Sequence, residues 1–398
     1  MSLTRRRLFQ RIVALDETHP NSEWISDRGR EAGLARGQAE FGAQATAGGM
    51  KPIVISSNEN PLGPGQKVLD AIVGKFPEAH RYPFNAKQND GAIITTLAAK
   101  FSAKPENVAL GAGSGELLVN AVRAFTSASK PLVTAWPSFE SPRDTAKKMG
   151  IPVKEVALDS KLRIDIAKMV EASKGAGLVF FCNPNNPTAT VHGKTTVADM
   201  VKQIRAASPD TVILIDEAYH DYVTDPSYQT AMDVALSTPN VFVTRTFSKA
   251  YGMADLRAGY AIGHPVAIKE LSRFRMPYGL GTLTLGATIL GLSDQAHIDA
   301  EAKRNTEVKA FTVKALADMG YTSTDSQGNF IFVNIKRPAA GFRDACRAAG
   351  VLVGRDFPPY EKTHCRISIG TMAEMQKAVD VFKHVLATPT TTSSKEGR

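Results

Sequence analysis

Five short, almost wholly apolar runs, each followed by an amphipathic stretch, constrain this chain more than any other feature. Val108-Ala-Leu110, Leu132-Val-Thr-Ala135, Leu178-Val-Phe-Phe181, Val212-Ile-Leu-Ile215 and Val241-Phe-Val-Thr244 read as strands buried on both faces. Between them lie helix-like segments: Glu116 to Thr126, Arg143 to Met149 and Thr196 to Ala207. Such alternation predicts an α/β fold whose large domain is a mostly parallel sheet covered by helices on both faces. In sheets of this kind ligands bind at the carboxyl ends of the strands, and the polar clusters of this chain fall there.

With 398 residues the chain has room for a second unit. From about Ala287 the texture changes: a long charged helical stretch, Ala300 to Met319, leads to Phe330-Ile-Phe-Val-Asn334 and Arg366-Ile-Ser-Ile369, which predicts a smaller α+β C-terminal domain. The boundaries drawn from sequence are a basic arm and linker over 1–50, a large domain over 51–285, a small domain over 286–387 and a polar, disordered tail over 388–398. No run approaches the roughly 18 apolar residues of a membrane span. The formal charge of +9 suggests nucleic acid, but four of the 48 basic residues lie in the first eleven positions and the rest are interspersed with acids. With no patch of interleaved aromatic and basic residues, the excess fits steering of anionic substrates better. Cys182, Cys346 and Cys365 are odd in number and widely spaced, which argues against a disulfide framework or a zinc site and suits the cytoplasm. Thr4-Arg-Arg-Arg-Leu-Phe-Gln10 resembles a twin-arginine export signal, yet only Ile12-Val-Ala-Leu15 follows where about 7 to 15 apolar residues belong. Export is therefore the alternative to a cytoplasmic location.

Four strand-end clusters carry chemistry. Gly111-Ala-Gly-Ser-Gly115 follows a strand and opens a helix, where bare amides and the Ser114 hydroxyl attract phosphate; a tight turn alone also explains the glycines. Phe181-Cys-Asn183-Pro-Asn-Asn186-Pro-Thr-Ala189 carries three asparagines stiffened by two prolines, so that Asn186 either holds a ligand oxygen or belongs to a structural turn. Leu214-Ile-Asp216-Glu-Ala-Tyr219 ends a buried strand in two carboxylates, and a buried Asp216 needs a cation. A protonated ring nitrogen or a metal would serve, although no Gly-x-x-x-x-Gly-Lys-Ser/Thr loop accompanies it as in nucleotide hydrolases. Finally, Thr246-Phe-Ser248-Lys249, with Arg257 eight residues after the lysine, offers an amine able to form a Schiff base beside groups able to hold a phosphate; the alternative is a solvated turn.

In order and spacing, Asn183-Pro-Asn-Asn-Pro-Thr188, Asp216-Glu-Ala-Tyr219, Ser248-Lys249 with Arg257, and Arg366-Ile-Ser-Ile-Gly370-Thr resemble the motifs of fold type I pyridoxal-phosphate-dependent aminotransferases. The histidinol-phosphate aminotransferase branch is the most similar, joined by Asn58-Glu-Asn-Pro-Leu-Gly63 and Arg81-Tyr-Pro83. The resemblance spans roughly Lys51 to Leu386 and implies a homodimeric aminotransferase with pyridoxal 5'-phosphate as cofactor and no metal. It implies that Lys249 binds the cofactor aldehyde and acts as general base, that Asp216 pairs with the ring nitrogen, and that Asn186 and Tyr219 bond the ring oxygen. Phe139 would stack on the ring or serve only as a core aromatic. Ser114, Gly115, Thr246, Ser248 and Arg257 would hold the phosphate, with Tyr82 supplied by the partner subunit. Arg366 and Asn58 would bind substrate, Arg366 through the α-carboxylate unless it is a surface ion pair. The amino donor so implied is histidinol phosphate or an aromatic amino acid, and the acceptor a 2-oxo acid such as 2-oxoglutarate. A related lyase or decarboxylase, or a non-catalytic protein binding the same cofactor, are the alternatives.

Two departures bear on specificity. Ala189 stands where the family usually has glycine. In Val353-Gly354-Arg355-Asp356 an added glycine shifts Arg355 relative to the branch's Val-Arg-Asp, which weighs against a phosphorylated side chain.

Overall fold

The computed structural model describes residues 52–83 and 86–388. The arm over 1–50 with its twin-arginine-like start, and the tail beyond Thr388, lie outside the described residues. The strands are β1 (Ile53–Ile55), β2 (Val108–Ala112), β3 (Leu132–Trp136), β4 (Val153–Ala157), β5 (Leu178–Cys182), β6 (Val212–Asp216), β7 (Val241–Thr246), β8 (Ala258–Gly263), β9 (Thr322–Ser323), β10 (Phe330–Asn334), β11 (Val351–Val353) and β12 (His364–Ser368).

Seven of them form the main sheet in the order β2-β8-β7-β6-β5-β3-β4. The β3/β4, β3/β5, β5/β6 and β6/β7 pairs are parallel, and only β8 runs against its neighbours β7 and β2. Two apolar layers explain why the central strands lack polar alternation. Val179, Phe181, Ile213, Ile215 and Val243 face one layer, packed under Met200, Ile204 and Leu285. Leu178, Phe180, Leu214 and Phe242 face the other, under Leu118, Val122, Ile268 and Leu271. Helices thus cover both faces, as the apolar runs predicted.

Two strands of this sheet escape the sequence pattern. In β4 only Val156 is buried, so an edge strand reads as polar. In β8 the sequence Ala-Gly-Tyr-Ala-Ile-Gly offers few bulky apolar residues, because its glycines sit against backbone. A Cβ on Gly259 would collide with the Ser114 amide, and one on Gly263 with the Phe242 side chain and the Val241 carbonyl. The helices also start earlier than expected, at Gly113, Ser141, Lys194 and Gln295, since glycine, serine and the polar residues of a first turn weaken the periodic signal.

A second sheet, β12-β10-β9, is antiparallel and pairs Phe332 with Arg366 and Phe330 with Ser368. It is backed by helices Gln295–Asp318, Ala339–Ala348 and Met372–Ala387, the last opened by a capping box between Thr371 and Glu374. Among the described residues no helix is long and apolar enough to cross a membrane.

Candidate active site

The carboxyl ends of β5, β6 and β7, the start of helix Gly113–Phe125 and the β12 edge converge on one cavity of ≈ 540 Å³. It has two chemically distinct ends and a middle.

At one end, helix Gly113–Phe125 begins directly after β2, and its first turn presents Ser114 and Gly115 to the cavity. Gly113 has φ +72°, a conformation that favours glycine, and a Cβ there would strike the Arg257 guanidinium. Arg257 Nη1 donates to Ser248 Oγ at 3.3 Å and to the Ala254 carbonyl at 2.8 Å, while the Ser248 amide donates to Thr246 Oγ1 at 3.0 Å. Glu116 ties the turn down: its carboxylate accepts from the Ala112 amide at 2.5 Å and the Met276 amide at 2.8 Å. A helix N-terminus, three hydroxyls and a guanidinium form a cradle for a dianion.

In the middle, Lys249 Nζ donates to the Ser57 carbonyl at 3.3 Å and lies 5.7 Å from the centre of the Tyr219 ring. Burial, followed by the positive charge of Arg366, lowers its pKa to about 8, so that about a tenth of the amine is already neutral at pH 7, far more than for an ordinary lysine. Asp216, 2% exposed at the end of β6, accepts from Thr244 Oγ1 at 2.9 Å, with the Cys182 thiol 3.9 Å from its other oxygen. Burial raises its pKa to about 7, and among the described residues no cation forms an ion pair with it. The neighbouring carboxylate differs: Glu217 pairs with Arg245 Nη2 at 2.8 Å and accepts from Thr230 and the Ala231 amide, which makes it structural. Tyr219 OH accepts from Asn58 Nδ2 at 3.1 Å, and burial pushes its phenol well above the ordinary value. Phe139 is half-buried, packing on one apolar layer and lining the cavity.

At the other end stands Arg366. Its Nη1 donates to Asn186 Oδ1 at 2.9 Å and its Nη2 to the Ser56 carbonyl at 2.5 Å, while Nε is buried without a partner. Burial lowers its pKa to about 10, still fully cationic at neutral pH. Asn58, with φ +56°, is locked by Ser368 and Asn329. The expected shift of Arg355 does not remove it from the site. Gly354 lies so close to β12 that its amide donates to the Arg366 carbonyl at 2.9 Å, and Arg355 lines the cavity in an ion pair with Glu140.

Every site residue named from the sequence lines this cavity except Tyr82, which stands outside its own chain's cavity, 71% exposed, with its ring 5.9 Å from that of Tyr278. Glu140, Cys182, Ser57 and Glu59 also line it and were not singled out. Glu140 directly follows Phe139 and Cys182 directly precedes Asn183, so adjacency to a motif was the only signal for them. Ala189, where the family usually has glycine, is fully buried with φ +56°, which accounts for the glycine preference there.

A mostly parallel sheet whose strand ends gather a helix N-terminus with hydroxyls and a guanidinium, a lysine of depressed pKa and a buried carboxylate defines an α/β fold whose site can hold an anion beside an amine able to react with a carbonyl. Comparison with known proteins agrees. The family profile described as aminotransferase class I and II matches residues 51–382. Histidinol-phosphate aminotransferase of Moorella thermoacetica is 32% identical over 343 residues, 85% of this chain and 87% of that protein. Aromatic amino acid aminotransferase of Thermobifida fusca is 34% identical over 323 residues, 79% of this chain and 85% of that one. Among solved structures, histidinol-phosphate aminotransferase of Sinorhizobium meliloti in complex with pyridoxal-5'-phosphate shares the fold, with a TM-score of 0.80, 24% identity and coverage of 88% of this chain and 94% of that chain. The chain belongs to the class I and II aminotransferases and is a pyridoxal-phosphate-dependent aminotransferase. The donor set fits this cofactor: the unpaired buried Asp216 suits a ring-nitrogen cation, and the cradle around Gly113 and Arg257 suits a phosphate.

Proposed function

We propose that the protein transfers the amino group of an L-amino acid to a 2-oxo acid in two half-reactions at this one cavity. The observation that carries the reading is that Lys249 from the large sheet and Arg366 from the antiparallel sheet open on the same space. Amino transfer needs both an amine that moves a proton and a clamp that orients the Cα–H bond toward it.

Pyridoxal phosphate, when bound, supplies an aldehyde carbon and an electron-accepting ring. Ser114, Gly115, Thr246, Ser248 and Arg257 would hold its phosphate, Asp216 would face the ring nitrogen and favour its protonated form, Asn186 and Tyr219 would hydrogen-bond the ring oxygen, and Phe139 would pack on the ring. Arg366 takes the α-carboxylate through its planar fork, where its partnerless Nε leaves a donor to offer. Asn58 shapes the substrate end by fixing the Tyr219 hydroxyl. Lys249 Nζ would serve as the base that accepts the substrate Cα proton, a role suited to its depressed pKa.

Residues 51–285 then form the cofactor-holding unit and 286–387 the unit that brings Arg366. Tyr82 (71% exposed), Met276 (64%) and Tyr278 (59%) leave an apolar face that a second copy would cover, placing Tyr82 at the partner's phosphate cradle in a homodimer. The three buried free thiols support a cytoplasmic location.

Single additions of L-amino acids to the purified holoprotein test the reading. A lasting loss of the cofactor's visible absorbance with release of one 2-oxo acid is the expected result, and carbon dioxide release without a 2-oxo acid would replace it with a decarboxylase. In Lys249→Ala that absorbance change and turnover should both disappear, a loss of at least about 10⁴-fold.

A further inference from the structure

The substrate end of the cavity holds two arginines, and only one is free of an ion pair among the described residues. Arg366 and Arg355 flank the Phe357 ring, their guanidinium carbons 4.9 Å and 4.3 Å from its centre, so both charges face the same space. Arg355 is engaged twice: Nη2 forms an ion pair with Glu140 Oε1, and Nη1 donates to the Asp356 carbonyl at 3.1 Å. Glu140 has few alternatives. It precedes helix Ser141–Lys148, whose N-terminal dipole favours a carboxylate, and its second oxygen is buried with no hydrogen-bond partner among the described residues. With side chains 49% and 30% exposed the pair is a partly exposed one, so that breaking it carries a modest penalty, met only by a substrate that needs Arg355. Arg366, in contrast, makes no ion pair among the described residues; its contacts are neutral oxygens from Asn186 and Ser56.

Resting on the aminotransferase reading above, we propose that Glu140 is a specificity-determining residue: by occupying Arg355 it sets this end of the site for substrates with one negative charge. A monoanionic α-carboxylate needs one guanidinium, and Arg366 supplies it. A phosphate ester in place of the α-carboxylate carries a second charge, and a side-chain carboxylate adds one; either needs another guanidinium, and must pull Arg355 from Glu140 or lie beside the Glu140 charge. The substrate class that follows is monocarboxylic amino acids and 2-oxo acids with uncharged side chains, in preference to phosphorylated or dicarboxylic ones. Sequence comparison of the Arg355 loop alone does not show this, because the deciding carboxylate comes from a segment more than 200 positions earlier.

The test compares L-phenylalanine with histidinol phosphate and L-aspartate as amino donors for the holoprotein and for Glu140→Gln, which keeps the shape and removes the charge. The wild-type protein should favour L-phenylalanine in kcat/KM. Glu140→Gln should shift the ratio toward the two dianionic donors by about tenfold or more, the effect of freeing one charge-assisted contact. Adding Arg355→Met to that variant should cancel the shift. A ratio that moves less than about twofold, or a wild-type preference for histidinol phosphate, overturns the proposal. Dissociation constants for the same three compounds, titrated by cofactor absorbance, give the same ratio without turnover. If nothing turns over, the aminotransferase reading fails, while these constants still decide on Glu140; absence of any difference in them overturns it.

Discussion

The two ends of the cavity are built in opposite ways. The end proposed to hold the phosphate uses residues close in sequence at neighbouring strand ends: Gly113 to Gly115 after β2, Thr246 at the end of β7, and Ser248 and Arg257 between β7 and β8, with β8 pairing both β7 and β2. The substrate end joins Ser56 and Asn58, Glu140, Asn186, Arg355, Arg366 and Ser368, with partners up to 310 positions apart. One end is thus set by the rigid edge of a single sheet, the other by contacts between two sheets. Cofactor retention should therefore depend on the first end and substrate choice on the second.

Crossed substitutions are the sharpest way to break this separation. Arg366→Ala should lower kcat/KM for an amino acid by about 10²–10³-fold while cofactor affinity stays within about threefold. Arg257→Ala should do the reverse, weakening cofactor affinity by about 10²-fold with little change in amino-acid KM for the reloaded enzyme. Equilibrium dialysis of the cofactor and steady-state kinetics on both variants check this, and equal losses in both measurements from either variant would show that the ends are coupled.

Asp216 lies between the ends and predicts a pH effect of intermediate size. Its pKa is raised from 3.8 to about 7 by burial, so in the apoprotein its contribution to stability is full below about pH 4 and is lost as pH rises through about 7. Asp216→Asn cannot ionise, so the variant apoprotein should melt above the wild-type apoprotein at pH 8, by about 2–4 °C or more, and show no such advantage at pH 4.5. Cofactor loading should reverse the order at pH 8, because the ring cation then pairs with the wild-type carboxylate. Thermal melts of both forms at both pH values test the sign.

The smallest expected effect concerns the loop that joins the ends. Ala189→Gly relieves an L-residue at φ +56° but removes a fully buried methyl group. These terms oppose, and denaturant curves should shift by less than about 1 kcal/mol in either direction, with Arg366-dependent kinetics unchanged.

Legibility in the sequence follows the same division. The five buried strands, their parallel arrangement and the residues of the cradle could be named because local sequence carries them: an apolar run fixes the strand, and glycine, hydroxyl and arginine at its end fix the chemistry. In the main sheet the edge strand β4 and the glycine-rich β8 were missed, since one is wet and the other is small for the sake of its neighbours, and β1, β9 and β11, two or three residues each, are too short to show a period. At the substrate end Arg366 was visible through its motif, but Glu140 was not, because a lone glutamate before a helix carries no signal of an arginine that reaches it across the fold. Gly354 misled for a related reason: read in sequence it displaces Arg355, whereas in space it lets the chain approach β12.

By itself, then, the sequence determined the fold class, the family, and an amine, a carboxylate and an anion cradle at successive strand ends, because hydrophobic burial and backbone conformation act over a few residues at a time. Only the tertiary structure decided which charges face one another. Among the described residues it left Asp216 without a cation in an ion pair, paired Glu217 with Arg245, and gave Arg355 to Glu140 while leaving Arg366 without an ion pair. Electrostatic pairing depends on distance in space and on burial, and neither can be counted along the chain.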